Sequence, residues 1–231
     1  MSRILIIIPA YNESKNIVNV ITELNCCCPQ YDYVIVNDGS KDDTALICRE
    51  NHFPLIDLPE NRGLAGAIRA GMRYADEKHY DYALQFDGDG QHQAAYIPKL
   101  VRRAEEDGKI DIVIGSRFVG RHRSLSLRMI GSRILSVCIW LTAGQLIHDP
   151  TSGMRLYRKN IIHRLAAGKY EPEPDMLAYM IRCGCGVAEV PVQMKERAEG
   201  ESYLNLRKGA EYMIRMCLSI FRLCRFGGEM K

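Results

Sequence analysis

The 231-residue sequence is informative first for what it lacks. It has no long apolar run, since the longest, Ile134 to Gly144, is bracketed by Arg133 and Gln145. A bilayer-spanning helix needs about 20 mostly apolar residues, so no transmembrane span is expected. The start, Met1-Ser2-Arg3 and then Ile4 to Pro9, lacks the apolar length and small-residue cleavage site of a secretory signal. The nine cysteines follow no pairing pattern, because Cys26-Cys27-Cys28 and Cys183-Gly184-Cys185 have no second ligand pair at zinc spacing. That argues against a structural zinc and against a secreted disulfide framework, and free thiols in a reducing cytosol are the expectation. Charge of one sign is also missing: 31 Lys and Arg face 28 Asp and Glu. This balance gives no case for nucleic acid as a partner. No repeat, low-complexity stretch or long linker is present.

What is present is the composition of a globular protein, 47% hydrophobic and 26% charged, long enough to bury a core without staples. The charge is unevenly spread. Residues 1–116 carry 12 basic and 18 acidic groups, whereas residues 117–231 carry 19 and 10. The second half therefore expects an anionic partner. Short apolar runs at 4–8, 33–37, 54–58, 82–86 and 110–115 read as strands, with helical patterns at about 14–25, 42–51, 63–76 and 94–106 between them. Strands this apolar suit a mostly parallel sheet covered on both faces, with ligands at the strands' carboxyl ends. Beyond Ser116 come a helical stretch to about Leu146, a strand-like 154–157, a helix near 175–183, a strand at 187–192 and a long helix over 204–226. Trp140 lies in an apolar helical stretch and is expected in the core.

The chemistry-bearing residues fall at those carboxyl ends. Asp87-Gly88-Asp89-Gly90-Gln91-His92 follows the fourth strand. Two carboxylates one residue apart can share a hard cation such as Mg2+ or Mn2+ that also takes phosphate oxygens. Alone, the same composition serves an ordinary turn. Glu13 and Asp38 close two neighbouring strands, however, so three acidic sites gather on one edge, where like charges need a cation or donors to compensate. A dinucleotide fingerprint would need glycines after the first strand. That position reads Pro9-Ala10-Tyr11-Asn12-Glu13, and no P-loop occurs elsewhere. His92 is suited to orient the metal loop, and Asp149 before Pro150 reads as a turn.

The ordered set Pro9 to Glu13, Val36-Asn37-Asp38-Gly39-Ser40, Asn61-Arg62-Gly63, Asp87 to His92, Gly115-Ser116-Arg117-Phe118 and Thr151-Ser152-Gly153 resembles glycosyltransferase family 2, and within it the dolichyl- and polyprenyl-phosphate sugar synthases. The resemblance implies a GT-A fold, one doubly wound mostly parallel sheet flanked by helices, over residues 1–203. Residues 1–116 would form the nucleotide half and 117–203 the acceptor half, followed by a basic amphipathic helix over 204–231. It also implies inverting, metal-dependent transfer from a nucleotide diphosphate sugar. Pro9, Tyr11, Glu13, Val36 and Asp38 would contact the nucleoside. Asp87, Gly88, Asp89 and Gln91 would hold the metal and diphosphate, and Arg117 and Arg197 would grip phosphates. Asp175 would be the base for a hydroxyl acceptor or a positioning residue, with Glu173 its rival. The acceptor implied is a polyprenyl phosphate or a glycan hydroxyl, and a non-catalytic nucleotide-sugar-binding subunit is the alternative from another class. UDP is expected over GDP.

The chain departs from the family pattern at Asn37, where an acid is usual, and at Tyr203, where a lysine is common. Five arginines and no acid between residues 117 and 133, together with an Arg207, Glu211, Arg215, Arg222, Arg225 stripe, suggest peripheral attachment at the inner face of the cell membrane. The attachment would be to an anionic surface or through a small membrane protein.

Overall fold

The computed structural model describes residues 2–119, 127–168, 170–195 and 206–226. Seven strands, β1 (Ile4–Ala10), β2 (Asp32–Asn37), β3 (Leu55–Asp57), β4 (Tyr82–Gln85), β5 (Ile110–Ser116), β6 (Arg155–Arg158) and β7 (Gly186–Pro191), form one sheet in the order β3-β2-β1-β4-β6-β5-β7. All neighbours are parallel except β6, which runs antiparallel to both β4 and β5. The helices are α1 (Ile17–Cys27), α2 (Thr44–Glu50), α3 (Gly63–Glu77), α4 (Ile97–Glu106), α5 (Leu127–Ala143), α6 (Lys159–Ala166), α7 (Pro174–Arg182) and α8 (Leu206–Phe226).

The two sheet faces bury separate cores because successive side chains of a strand point to opposite sides. Leu5, Ile7, Val34 and Val36 pack with Ile68 and Met72 of α3, Ile161 and Ile162 of α6, Leu135 and Ile139 of α5, and Met216 and Ile220 of α8. Ile4, Ile6, Ile8 and Ile35 pack on the other face with Ile17 and Ile21 of α1 and Leu100 of α4. This explains why β1 has no polar position and every residue of it is buried. Burial at about 25 cal/mol per Å2 of apolar surface is the main term holding such a sandwich together.

Three expectations change. α6 was not anticipated; it is short, and its amphipathic pattern, Ile161, Ile162 and Leu165 buried, shows only against α3. Trp140 is 53% exposed rather than core, because α8 covers another side of α5 and leaves Ile130, Ile134, Val137, Trp140 and Leu141 outward. Asp149 is more than a turn residue, as the site geometry below makes plain. Helix α8 packs on α7 and α5, burying Met216 and Ile220 while Ile214, Leu218 and Phe221 stay exposed. The side chains of Arg207 and Arg225 fall outside those described. No described helix is long and apolar enough to cross a membrane.

Candidate active site

The parallel pairing of β2, β1 and β4 brings their carboxyl ends to one edge. There β1 ends in Pro9 and Ala10, both buried, and continues into half-buried Tyr11 and buried Glu13. The Glu13 carboxylate accepts from Asn16 Nδ2 at 2.7 Å, and its backbone N–H donates to Thr44 Oγ1 at 2.9 Å. On β2, Val36 is buried opposite Pro9. Asp38, also buried, donates its N–H to the Ala10 carbonyl at 2.9 Å and accepts the Arg62 N–H on Oδ1 at 2.7 Å. Gly39 follows with φ +64°, and a Cβ there would lie 2.6 Å from the Glu60 carbonyl carbon. Only glycine fits, and the turn after β2 is fixed by it.

The Asp87–Gln91 loop crosses the end of β1. A Cβ on Gly88 would come 2.9 Å from the Pro9 carbonyl oxygen, so the loop needs glycine to approach this closely. Asp87 and Asp89 are both half-buried. The Asp87 N–H donates to His92 Nδ1 at 3.3 Å, and His92 Nε2 lies 3.8 Å from Asp87 Oδ2. His92 is itself buried against Phe86. Asp89 Oδ1 accepts the Gln91 N–H at 3.0 Å, closing a tight turn. Asp87 also lies on Gly153, where a Cβ would sit 2.2 Å from Oδ2. Among the described residues no three His, Cys, Asp or Glu side chains converge as a metal set. Asp87 and Asp89 bring two half-buried carboxylates to this loop, the oxygen chemistry that a hard cation prefers. Asp38 and Glu13 share the edge but not that loop.

Arg117, just past β5, donates from Nε to Asp149 Oδ2 and from Nη2 to Asp149 Oδ1, both at 2.7 Å, and from Nη2 to Thr151 Oγ1 at 3.0 Å. Its backbone N–H reaches the same carboxylate at 2.9 Å. Asp149 is fully buried, and its position is 32 residues from Arg117 in the chain, which is why sequence reading favoured an Asp-Pro turn over a role at the acceptor side. Arg155 was missed as well. Its buried guanidinium donates to the carbonyls of Ser152, Pro172 and Pro150 at 2.8, 3.0 and 2.6 Å. It thereby ties the Thr151–Gly153 turn to the segment carrying Glu173 and Asp175.

Those two carboxylates are held by α8. Tyr212 Oη donates to Glu173 Oε2 at 2.6 Å, and Ser219 Oγ donates to Asp175 Oδ2. Burial, and then the Glu173 charge, push the Tyr212 phenol well above its usual pKa, so it stays a donor across the working range. Arg197 lies outside the described residues. The chain leading to it is tied to the Asp87–Gln91 loop, the Lys195 N–H donating to the Gln91 carbonyl at 2.9 Å.

Residues 5–166 match the family described as Glycosyl transferase family 2. The chain belongs to glycosyltransferase family 2. It is 29% identical over 92% of its length to a polyprenol monophosphomannose synthase of Mycolicibacterium smegmatis, covering 88% of that protein. It is 32% identical over 82% of its length to a UDP-N-acetylglucosamine–dolichyl-phosphate N-acetylglucosaminyltransferase of Methanococcus voltae, covering 84% of that chain. In fold it is similar to the glucosyl-3-phosphoglycerate synthase of Mycobacterium tuberculosis, solved with Mn2+, UDP and phosphoglyceric acid. That likeness has a TM-score of 0.71 at 14% identity and covers 97% of this chain and 79% of the other. As a family 2 member with this sheet, the chain is a glycosyltransferase of the GT-A fold.

Proposed function

We propose that this glycosyltransferase moves a sugar, with inversion, from a nucleotide diphosphate sugar to a polyprenyl phosphate, with UDP as the nucleotide. The observation that carries the reading is the meeting of the Asp87–Gln91 loop, the Pro9 carbonyl and Gly153 at one sheet edge. Two relatives of the chain named for polyprenyl or dolichyl phosphate acceptors support the acceptor class, and a UDP-sugar relative and a UDP-bound structural neighbour support the nucleotide.

In this reading Pro9, Tyr11, Glu13, Val36 and Asp38 receive the nucleoside. Asp87, Asp89 and Gln91 would hold Mg2+ or Mn2+, with Gly88 letting their loop seat on the Pro9 carbonyl beside the diphosphate. Such an ion neutralises negative charge on a departing diphosphate. The protein's own part is electrostatic and geometric: Arg117, through Nη1, and Arg197 offer guanidinium N–H donors to phosphates, and the closed turns at Gly39 and Gly88 orient the donor. The anomeric carbon passes through an oxocarbenium-like state. A phosphate acceptor is already an anion at neutral pH and needs no strong base. Asp175 and Glu173 then act as positioning groups, whereas a hydroxyl acceptor would make Asp175 the base.

The enzyme works at the inner face of an anionic membrane, nucleotide half (1–116) toward the cytosol and acceptor half (117–203) with the 204–231 segment toward the lipid. Support comes from eight exposed apolar side chains on α5 and α8, flanked by exposed Arg133, Arg215 and Arg222. A patch of that kind with cations at its rim suits an interfacial helix pair. A thermal-shift screen of UDP- and GDP-sugars with and without Mn2+ tests the donor assignment. Stabilisation by a UDP-sugar only with Mn2+ is expected; stabilisation by GDP-sugars alone overturns the choice of nucleotide.

A further inference from the structure

Glu189 of β7 is a second carboxylate behind Asp149, with 9% of its side chain exposed. Its Oε1 accepts the Asp149 N–H at 2.9 Å, and its Oε2 accepts the His148 N–H at 2.8 Å. The same oxygen lies 2.7 Å from Nδ1 of the exposed His148 ring. Two carboxylates withdrawn from water are unfavourable unless donors meet each of them. Asp149 has the Arg117 guanidinium, the Arg117 N–H and the Thr151 hydroxyl, while Glu189 has two backbone N–H groups and an imidazole. The order of contacts runs in series from β7 to the loop, from the loop carboxylate to the arginine, and from the arginine to the site. Nε and Nη2 of Arg117 are committed to Asp149 and Thr151. Nη1 is the guanidinium nitrogen with no hydrogen bond among the described residues.

We infer that Asp149 and Glu189 are positioning residues for the Arg117 guanidinium, forming a two-carboxylate bracket that presents Nη1 to a phosphate of the substrate. The inference deepens the proposed function and rests on it for the identity of that phosphate. The bracket also sets the electrostatics. Arg117 and Asp149 together carry no net charge, so Arg117 selects its phosphate by the geometry of two N–H donors, which lysine does not reproduce. Net positive charge at that phosphate must come from other residues.

The test uses the full chain and the variants Glu189→Gln, Asp149→Asn and Arg117→Lys. Nitrogen-15 NMR of the arginine Nε–H groups reads the bracket directly. Wild type should give a slowly exchanging Arg117 signal, identified by its loss in Arg117→Lys and weakened or lost in Glu189→Gln. Kinetics with a short-chain polyprenyl phosphate read the consequence. Glu189→Gln should keep the wild-type melting temperature within a few degrees and the UDP–Mn2+ affinity within about twofold, and lose about tenfold in kcat/KM for the acceptor. Glu189→Gln combined with Arg117→Lys should be no worse than Arg117→Lys alone, because residues acting through one group are not additive. Additive losses, or an unchanged Arg117 signal in Glu189→Gln, overturn the bracket. A wild type that transfers to no polyprenyl phosphate refutes the acceptor reading instead, and the arginine signal still decides the bracket.

Discussion

Replacing Gly153 by alanine perturbs the Asp87–Gln91 loop with a single methyl group. The added Cβ would sit 2.2 Å from Asp87 Oδ2 and 2.9 Å from its Cγ, where ordinary contact begins at 3.4 Å. Something must therefore move by about 1.2 Å. The backbone at 153 is poorly placed to yield. Arg155 holds the carbonyls of Pro150 and Ser152, and Ser152 Oγ donates to the Gly115 carbonyl at 2.6 Å. Asp87 is the free end, with about 29% of its side chain exposed. The carboxylate therefore swings away while the fold remains. Gly153 has no positive φ, so alanine adds no backbone strain and lowers unfolded-state entropy slightly. A misplacement of about 1 Å in a reacting constellation costs on the order of 100-fold in rate. Initial rates of nucleotide release across a Mn2+ series, with a melting curve, provide the assay. Gly153→Ala should melt near wild type, require more Mn2+ and turn over about 100-fold more slowly. Gly108→Ala, where nothing lies within 4 Å, serves as the silent control. Wild-type turnover in Gly153→Ala would refute the placement of Asp87 in the catalytic site.

Other outcomes follow from the same geometry. Arg117→Ala strands the buried Asp149 carboxylate and should destabilise the fold by about 3–5 kcal/mol in urea titration; a loss below about 1 kcal/mol contradicts that pairing. Burial pushes the Cys28, Cys48 and Cys138 thiols from 9.0 up to about 11. Their contribution to stability is complete below pH 9 and lost as pH rises toward 11, so the melting temperature should fall over that window. A flat profile there contradicts their burial. Leu218→Glu with Leu141→Glu should abolish sedimentation with anionic vesicles without changing the melt, and unchanged binding removes α5 and α8 as the attachment face.

Much of this was legible in the sequence because it is local. Apolar runs such as Ile4 to Ile8 declare buried strands, and turn residues at their ends mark the edge where Asp38 and Asp87 stand. The antiparallel direction of β6 was not legible, because side-chain alternation carries no sense of direction. Asp149 read as a turn residue and Glu189 carried no signal, since their partners are distant in the chain. Gly153 looked like part of a motif, and only the fold shows that Asp87 occupies the space its side chain would take. Trp140 was misjudged because one helix's periodicity does not tell which side a later helix will cover.

Transfer of labelled sugar from a panel of UDP-sugars to a polyprenyl phosphate, in Mn2+ and then in EDTA, tests the central claim most directly when Asp89→Asn is run beside wild type. The account predicts transfer by wild type in Mn2+, its loss in EDTA, and its loss in a correctly folded Asp89→Asn. Equal transfer by wild type and Asp89→Asn, or transfer undiminished by EDTA, would contradict it.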